Sequence, residues 1–142
     1  MSDEAKPLSP EEIEAWIARS PFISFLGLTV VAADPEKGEL TMRCPMRPEL
    51  ERGRGTGQWH GGPIAAIIDT VGDWALIMSL RRVLPTVNFR VDYLRPAINT
   101  DLTATARVRR MGKSVGIVDV DVMNGEGALV AIGRATYSTL PA

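Results

Sequence analysis

The sequence predicts an α+β fold in which an antiparallel sheet of about six strands wraps around one long buried helix. Three observations lead there. A single stretch, about Pro63 to Leu80, carries apolar residues at helical spacing over many turns. Extended runs rich in Val, Ile, Thr and Ala lie on both sides of it. The breaks between those runs are short and rich in Gly, Asn, Asp and Pro, as antiparallel hairpins require.

At 142 residues the chain fits one domain, expected over 1–142 with residues 1–8 flexible. Hydrophobic residues at 45% and charged residues at 23% are globular values, so neither disorder nor a fibrous repeat is indicated. A net charge of −1 argues against a protein that holds nucleic acid by its overall field. Cys44 is the only cysteine, which excludes an intramolecular disulfide and a thiolate-rich zinc site and suggests a reducing, cytoplasmic setting. The first seven residues are polar and acidic rather than basic and then apolar, and no uninterrupted run of apolar residues is long enough to suggest a membrane span.

Taken in order, Ser9-Pro10-Glu11-Glu12 reads as an N-cap, a proline at the first helical position and an acidic first turn. A short helix to about Arg19 follows, with Ile13, Trp16 and Ile17 on one face. Ser20-Pro21 stops it, and Phe22 to Leu26 fits either a helical turn or an extended segment. Leu28 to Ala33 and Glu39 to Cys44 are strand runs joined by the turn cluster Asp34 to Gly38. A broken stretch around Arg52-Gly53-Arg54-Gly55-Thr56-Gly57 leads into the long helix. Beyond Arg81-Arg82 the period changes to two, giving runs at Val83 to Leu94, Asp101 to Met111, Ser114 to Met123 and Ala128 to Ser138. Neither a dinucleotide-binding glycine fingerprint nor a phosphate loop is present.

The long helix carries the chemistry. Gly61 and Gly62 bare the backbone where the helix begins, so N–H groups and the positive end of the helix dipole can meet an anion or a polarised carbonyl. Asp69 and Asp73, four apart, share one face of an otherwise apolar helix. A carboxylate there serves either as nucleophile or general base, or as part of a wet stripe. His60, the only histidine, fits a base, an orienting donor or a residue that fixes the loop. Eight residues, about 12 Å of helix, separate Gly61 from Asp69, so one copy cannot bring both to the same carbonyl. Two antiparallel copies can, which makes a joint site a homodimer site.

His60-Gly61-Gly62, with an acidic residue nine after the histidine, resembles the signature of hotdog-fold acyl-CoA thioesterases, especially the phenylacetate-pathway type. Thr86-Val87-Asn88-Phe89-Arg90-Val91-Asp92-Tyr93-Leu94-Arg95-Pro96-Ala97 resembles that family's strand ending in Tyr-Leu-Arg-Pro, and the likeness runs from about Phe25 to Leu140. The resemblance implies hydrolysis of an aromatic or medium-chain acyl-CoA to acid and coenzyme A without a further cofactor, in a homodimer or dimer of dimers. A non-catalytic acyl-CoA binding or sensing dimer and an acyl-CoA hydratase or dehydratase on the same fold are its alternatives. It implies Asp69 as catalytic carboxylate, Gly61 N–H as carbonyl polariser, His60 and Gly62 as parts of that loop, and Thr86 beside the carboxylate or water. Arg109, Arg110, Lys113 and Ser114 would meet the coenzyme A phosphates, and Trp59, Ile68, Trp74 and Met78 are each either lining of an acyl tunnel beside the helix or plain core. Two positions depart from the pattern: Arg54 stands where relatives carry Asn or Gln, and Asp73 where they carry Ser or Thr. The extra like charge favours protonation of one carboxyl unless Arg54 offsets it.

Overall fold

The computed structural model describes residues 5–141. Helix α1 (Pro10–Ile17) opens with a complete capping box: Ser9 Oγ accepts from the Glu12 N–H and the Glu12 carboxylate from the Ser9 N–H, each at 3.1 Å. It ends short of the expected Arg19 because Ser20 already caps α2 (Pro21–Leu26), which settles that segment as helical. Gly27, at φ 77°, stops α2 in the left-handed conformation that glycine adopts without penalty. Expected flexibility up to Leu8 is corrected at its last residue. Leu8 is buried and its N–H bonds the Met78 carbonyl at 2.7 Å, because an apolar side chain reaches the core there; residues 1–4 lie outside the described part.

Strands β1 (Thr29–Asp34), β2 (Glu39–Cys44), β3 (Thr86–Tyr93), β4 (Leu102–Met111), β5 (Val115–Met123) and β6 (Leu129–Ser138) form one antiparallel sheet in the order β1-β2-β4-β5-β6-β3. All six extended runs of the sequence are strands. The run at Val83 loses its first three residues, for Leu84 turns into the core and Pro85 supplies its carbonyl to the Ser138 N–H before the β3–β6 ladder begins. The sheet's concave face holds α3 (Gly61–Leu80), so the molecule has the hotdog arrangement of a sheet around one helix. Ten α3 residues, from Ile64 to Met78, are buried. By length and composition alone α3 also passes for a membrane-crossing helix, a feature that strict counting of apolar runs did not reveal; in the fold it is the core.

Helix α3 starts two residues earlier than Pro63. His60 is its N-cap, its Nδ1 accepting the Gly62 N–H at 3.3 Å, and this side-chain cap draws both glycines into the first turn. Close approach of helix and sheet depends on two further glycines. A Cβ on Gly133 would meet Ile68 of the helix at 2.6 Å and the Arg90 carbonyl at 2.9 Å. One on Gly72 would fall on the Tyr137 hydroxyl, which donates to the Asp69 carbonyl at 2.6 Å. Gly72→Ala is therefore expected to lower stability by about 1–3 kcal/mol, although alanine favours helix by about 1 kcal/mol. In chemical denaturation, adding Tyr137→Phe should recover part of that loss, since it removes the atom that clashes.

Candidate active site

The N-terminus of α3 has a single free backbone donor. The Gly62 N–H is taken by His60, Pro63 has none, and the Gly61 N–H donates to nothing among the described residues. A cavity of about 590 Å³ opens beside it, bordered by Trp59, His60, Ile64, Tyr93 and Pro96, with Gln58, Arg52 and Arg95 contributing polar groups. With His60 Nδ1 accepting, Nε2 is the ring nitrogen left to donate. Tyr93 closes one side: its hydroxyl donates to the Gly61 carbonyl at 2.6 Å and its ring lies against the Gly61 Cα. A Cβ at Gly61 would press that ring at 3.2–3.3 Å, so the glycine is what lets the strand and the helix start meet.

Asp69 sits two turns further along. Its Oδ1 accepts from the Thr86 hydroxyl at 2.8 Å, and no other side chain among the described residues bonds its carboxylate. Both Thr86 and Tyr93 thus reach α3 from one strand, although seven residues apart they should face opposite sides. The bulge between Thr86 and Asn88 removes the conflict by shifting register against β6, so that Thr86 pairs with Tyr137 and Tyr93 with Ala131. Strand β3 carries the support of Asp69 at one end and the clamp on Gly61 at the other.

Asp73, one turn after Asp69, has an enclosed Oδ1 without a hydrogen-bond partner. Burial, and then the neighbouring Asp69 charge, push its carboxyl up to about 8. The Tyr137 hydroxyl is also held well above the ordinary phenol range, first by burial and then by the two aspartates. An acid proton retained only in the folded state makes stability fall as pH rises: the cost is absent below the ordinary aspartate value and complete above about 8. Asp73→Ser should accordingly melt above the wild type by a margin that widens between about pH 4 and about pH 8, read by thermal denaturation.

Several expected site residues lie elsewhere. Arg54 is exposed on the loop beside Glu49 and Glu51 and, among the described residues, forms no ion pair with the Asp69 or Asp73 of its own copy. Gln58, two residues before His60, borders the cavity instead. Arg109 pairs with Asp119 at 3.6 Å on the outer side of the sheet, and Arg110, Lys113 and Ser114 are exposed at the β4–β5 turn, outside the cavity of their own copy. Of the four residues read as tunnel lining or core, only Trp59 borders the cavity. Trp74 packs edge-on against Trp16, with ring centroids 6.2 Å apart, while Ile68 and Met78 are core, because α3 turns those faces to the sheet. Sequence marks Tyr93 only as part of the Tyr-Leu-Arg-Pro strand end, without a role, and does not mark Tyr137; their signals are a tyrosine ending a strand and one opposite a helical glycine.

Comparison with known proteins supplies the family. The thioesterase-superfamily profile matches residues 56–131. Acyl-coenzyme A thioesterase 13 of Homo sapiens is 33% identical over 130 residues, covering 89% of this chain and 90% of that one. A Halobacterium salinarum protein with a provisional esterase name is 35% identical over 136 residues, covering 88% of each. The crystal structure of zebra fish thioesterase superfamily member 2 superposes with a TM-score of 0.81 at 28% identity, covering 93% of this chain and 99% of that one.

Proposed function

The chain belongs to the thioesterase superfamily and is a thioesterase, and from that premise we propose that it hydrolyses an aromatic or medium-chain acyl-CoA at a site shared by two copies. The observation that carries the composite site is strand β3. It is an outer strand, paired only to β6, and Val87 and Phe89 stand 57% and 39% exposed on it. An apolar edge of that kind is a template for a further strand. Antiparallel pairing of β3 with β3 of a second copy, about an axis midway along the strand, sets the Thr86 end of one beside the Tyr93 end of the other. Asp69 of one copy then approaches Gly61 of its mate, which the helix forbids within one chain.

In this reading the thioester carbonyl accepts the Gly61 N–H, where the helix dipole adds to the stabilisation of the oxyanion. The His60 cap and the Tyr93 clamp fix that donor. Asp69, oriented by Thr86, attacks the acyl carbon or takes the proton of the attacking water. Collapse of the tetrahedral adduct expels coenzyme A as thiolate and leaves the acid, directly or after hydrolysis of an acyl-enzyme. The acyl group occupies the cavity by Trp59, Ile64 and Pro96. The exposed Arg109, Arg110, Lys113 and Ser114 remain candidates for the coenzyme A phosphates of a neighbouring site, Arg54 and Gly62 for contacts at its rim. No cofactor is required beyond the coenzyme A of the substrate, and the buried, unpaired Cys44 suits a cytoplasmic setting.

Thiol release from a panel of aliphatic and aromatic acyl-CoAs tests the reading. Turnover is expected to peak among aromatic or medium-chain members. Stabilisation by acyl-CoA without turnover of any member would replace the enzyme by a binding protein.

A further inference from the structure

Asp73 has no part in the reaction just described, yet among the described residues it is the one carboxyl with an enclosed oxygen that lacks a partner. It is a carboxyl one helical turn from Asp69, its Oδ1 shut off from water, with no hydrogen-bond donor and no cation brought to it among the described residues. The titratable groups that face it are Asp69 on its own helix and Tyr137 on β6, which offers its proton to the Asp69 carbonyl rather than to Asp73. Under the two-fold arrangement, His60 of a second copy also approaches this face. Within its own copy a carboxylate so enclosed lacks what would stabilise its charge, whereas a carboxylic acid brings a donor of its own.

Resting on the composite-site reading, we propose that Asp73 is a positioning residue, a neutral carboxylic acid whose O–H holds the free oxygen of the Asp69 carboxylate, or a water upon it. Thr86 binds one Asp69 oxygen; in the proposal the Asp73 acid, one helical turn away, serves the other, directly or through a water. The O–H transfers nothing in the reaction. It fixes the orientation of Asp69 and shares its charge, and it is lost when Asp73 ionises. The pair therefore carries one negative charge where two aspartates suggest two.

The test joins a spectroscopic and a kinetic readout. Infrared difference spectra of the intact protein at neutral pH should contain a protonated-carboxyl band that shifts in deuterium oxide and is missing from Asp73→Asn. Against the preferred acyl-CoA of the panel, wild-type kcat should decline above about pH 8. Asp73→Ala should lose about tenfold or more in kcat with little change in KM, as a loosened orientation of the reacting carboxylate does. Asp73→Asn, which keeps an N–H donor, should recover most of that loss and flatten the alkaline decline. Absence of the band, or superimposable pH profiles for wild type and Asp73→Asn, overturns the proposal. A protein that turns over no acyl-CoA refutes the reaction assigned above, and the infrared band then decides the state of Asp73 alone.

Discussion

Asp69→Asn is expected to lower kcat for acyl-CoA hydrolysis by about 10²–10⁴-fold while leaving the fold intact. Asparagine keeps the size of the side chain and can still accept from Thr86, so neither packing nor the 2.8 Å hydrogen bond gives a reason to unfold. What it removes is the basic oxygen, and with it both the nucleophilic and the general-base route. A KM within a fewfold of wild type would place the loss in the chemical step. Full activity in Asp69→Asn, with Asp73 unchanged, would remove Asp69 from the mechanism.

Mixing two inactive variants should restore activity. Gly61→Pro deletes the one free N–H at the start of α3, at a position where proline fits the first turn of a helix. The added ring presses on the Tyr93 hydroxyl, so the variant is best made together with Tyr93→Phe, with Tyr93→Phe alone as control. If each site takes Gly61 from one copy and Asp69 from the other, a heterodimer of this variant with Asp69→Asn has one dead site and one intact site. Random reassociation of equal amounts makes half the dimers mixed, so about a quarter of wild-type activity should return. If each copy worked alone, both sites of the heterodimer would stay defective. Refolding or co-expression followed by a thiol-release assay distinguishes the two.

Much of this arrangement was legible in the residues, and unevenly so. Helix α3 and all six strands announce themselves because burial of one face imposes a period that sequence preserves. The start of α3 was misplaced because proline at the first turn is a strong local signal, whereas the cap that overrides it depends on how the His60 ring is turned. Asp69 and Gly61 stood out as a carboxylate and a bare backbone on an apolar helix. Their supports did not, since the grip of Tyr93 on Gly61 joins residues 32 apart and that of Tyr137 on Asp69 joins residues 68 apart. Arg54 misled for a related reason: its place in the chain puts it near the histidine, but the turn around Gly55, at φ 79°, leaves it at the surface with Glu49 and Glu51. The bulge in β3 is the hardest to foresee, as neither glycine nor proline lies within Thr86-Val87-Asn88.

That bulge has a bearing on how such a protein can change over generations. Thr86 and Tyr93 face the helix together only because one residue between them is left out of the ladder. Deleting a residue from Thr86-Val87-Asn88 would restore an unbroken strand and turn one of the two away from α3. The sheet could survive, for the ladder would gain regularity. The site would not. Single substitutions along β3 leave the alternation untouched and can retune the pocket by small steps, while a change of length separates being folded from being active. Length, more than residue identity, is therefore the property of this strand that selection must hold fixed.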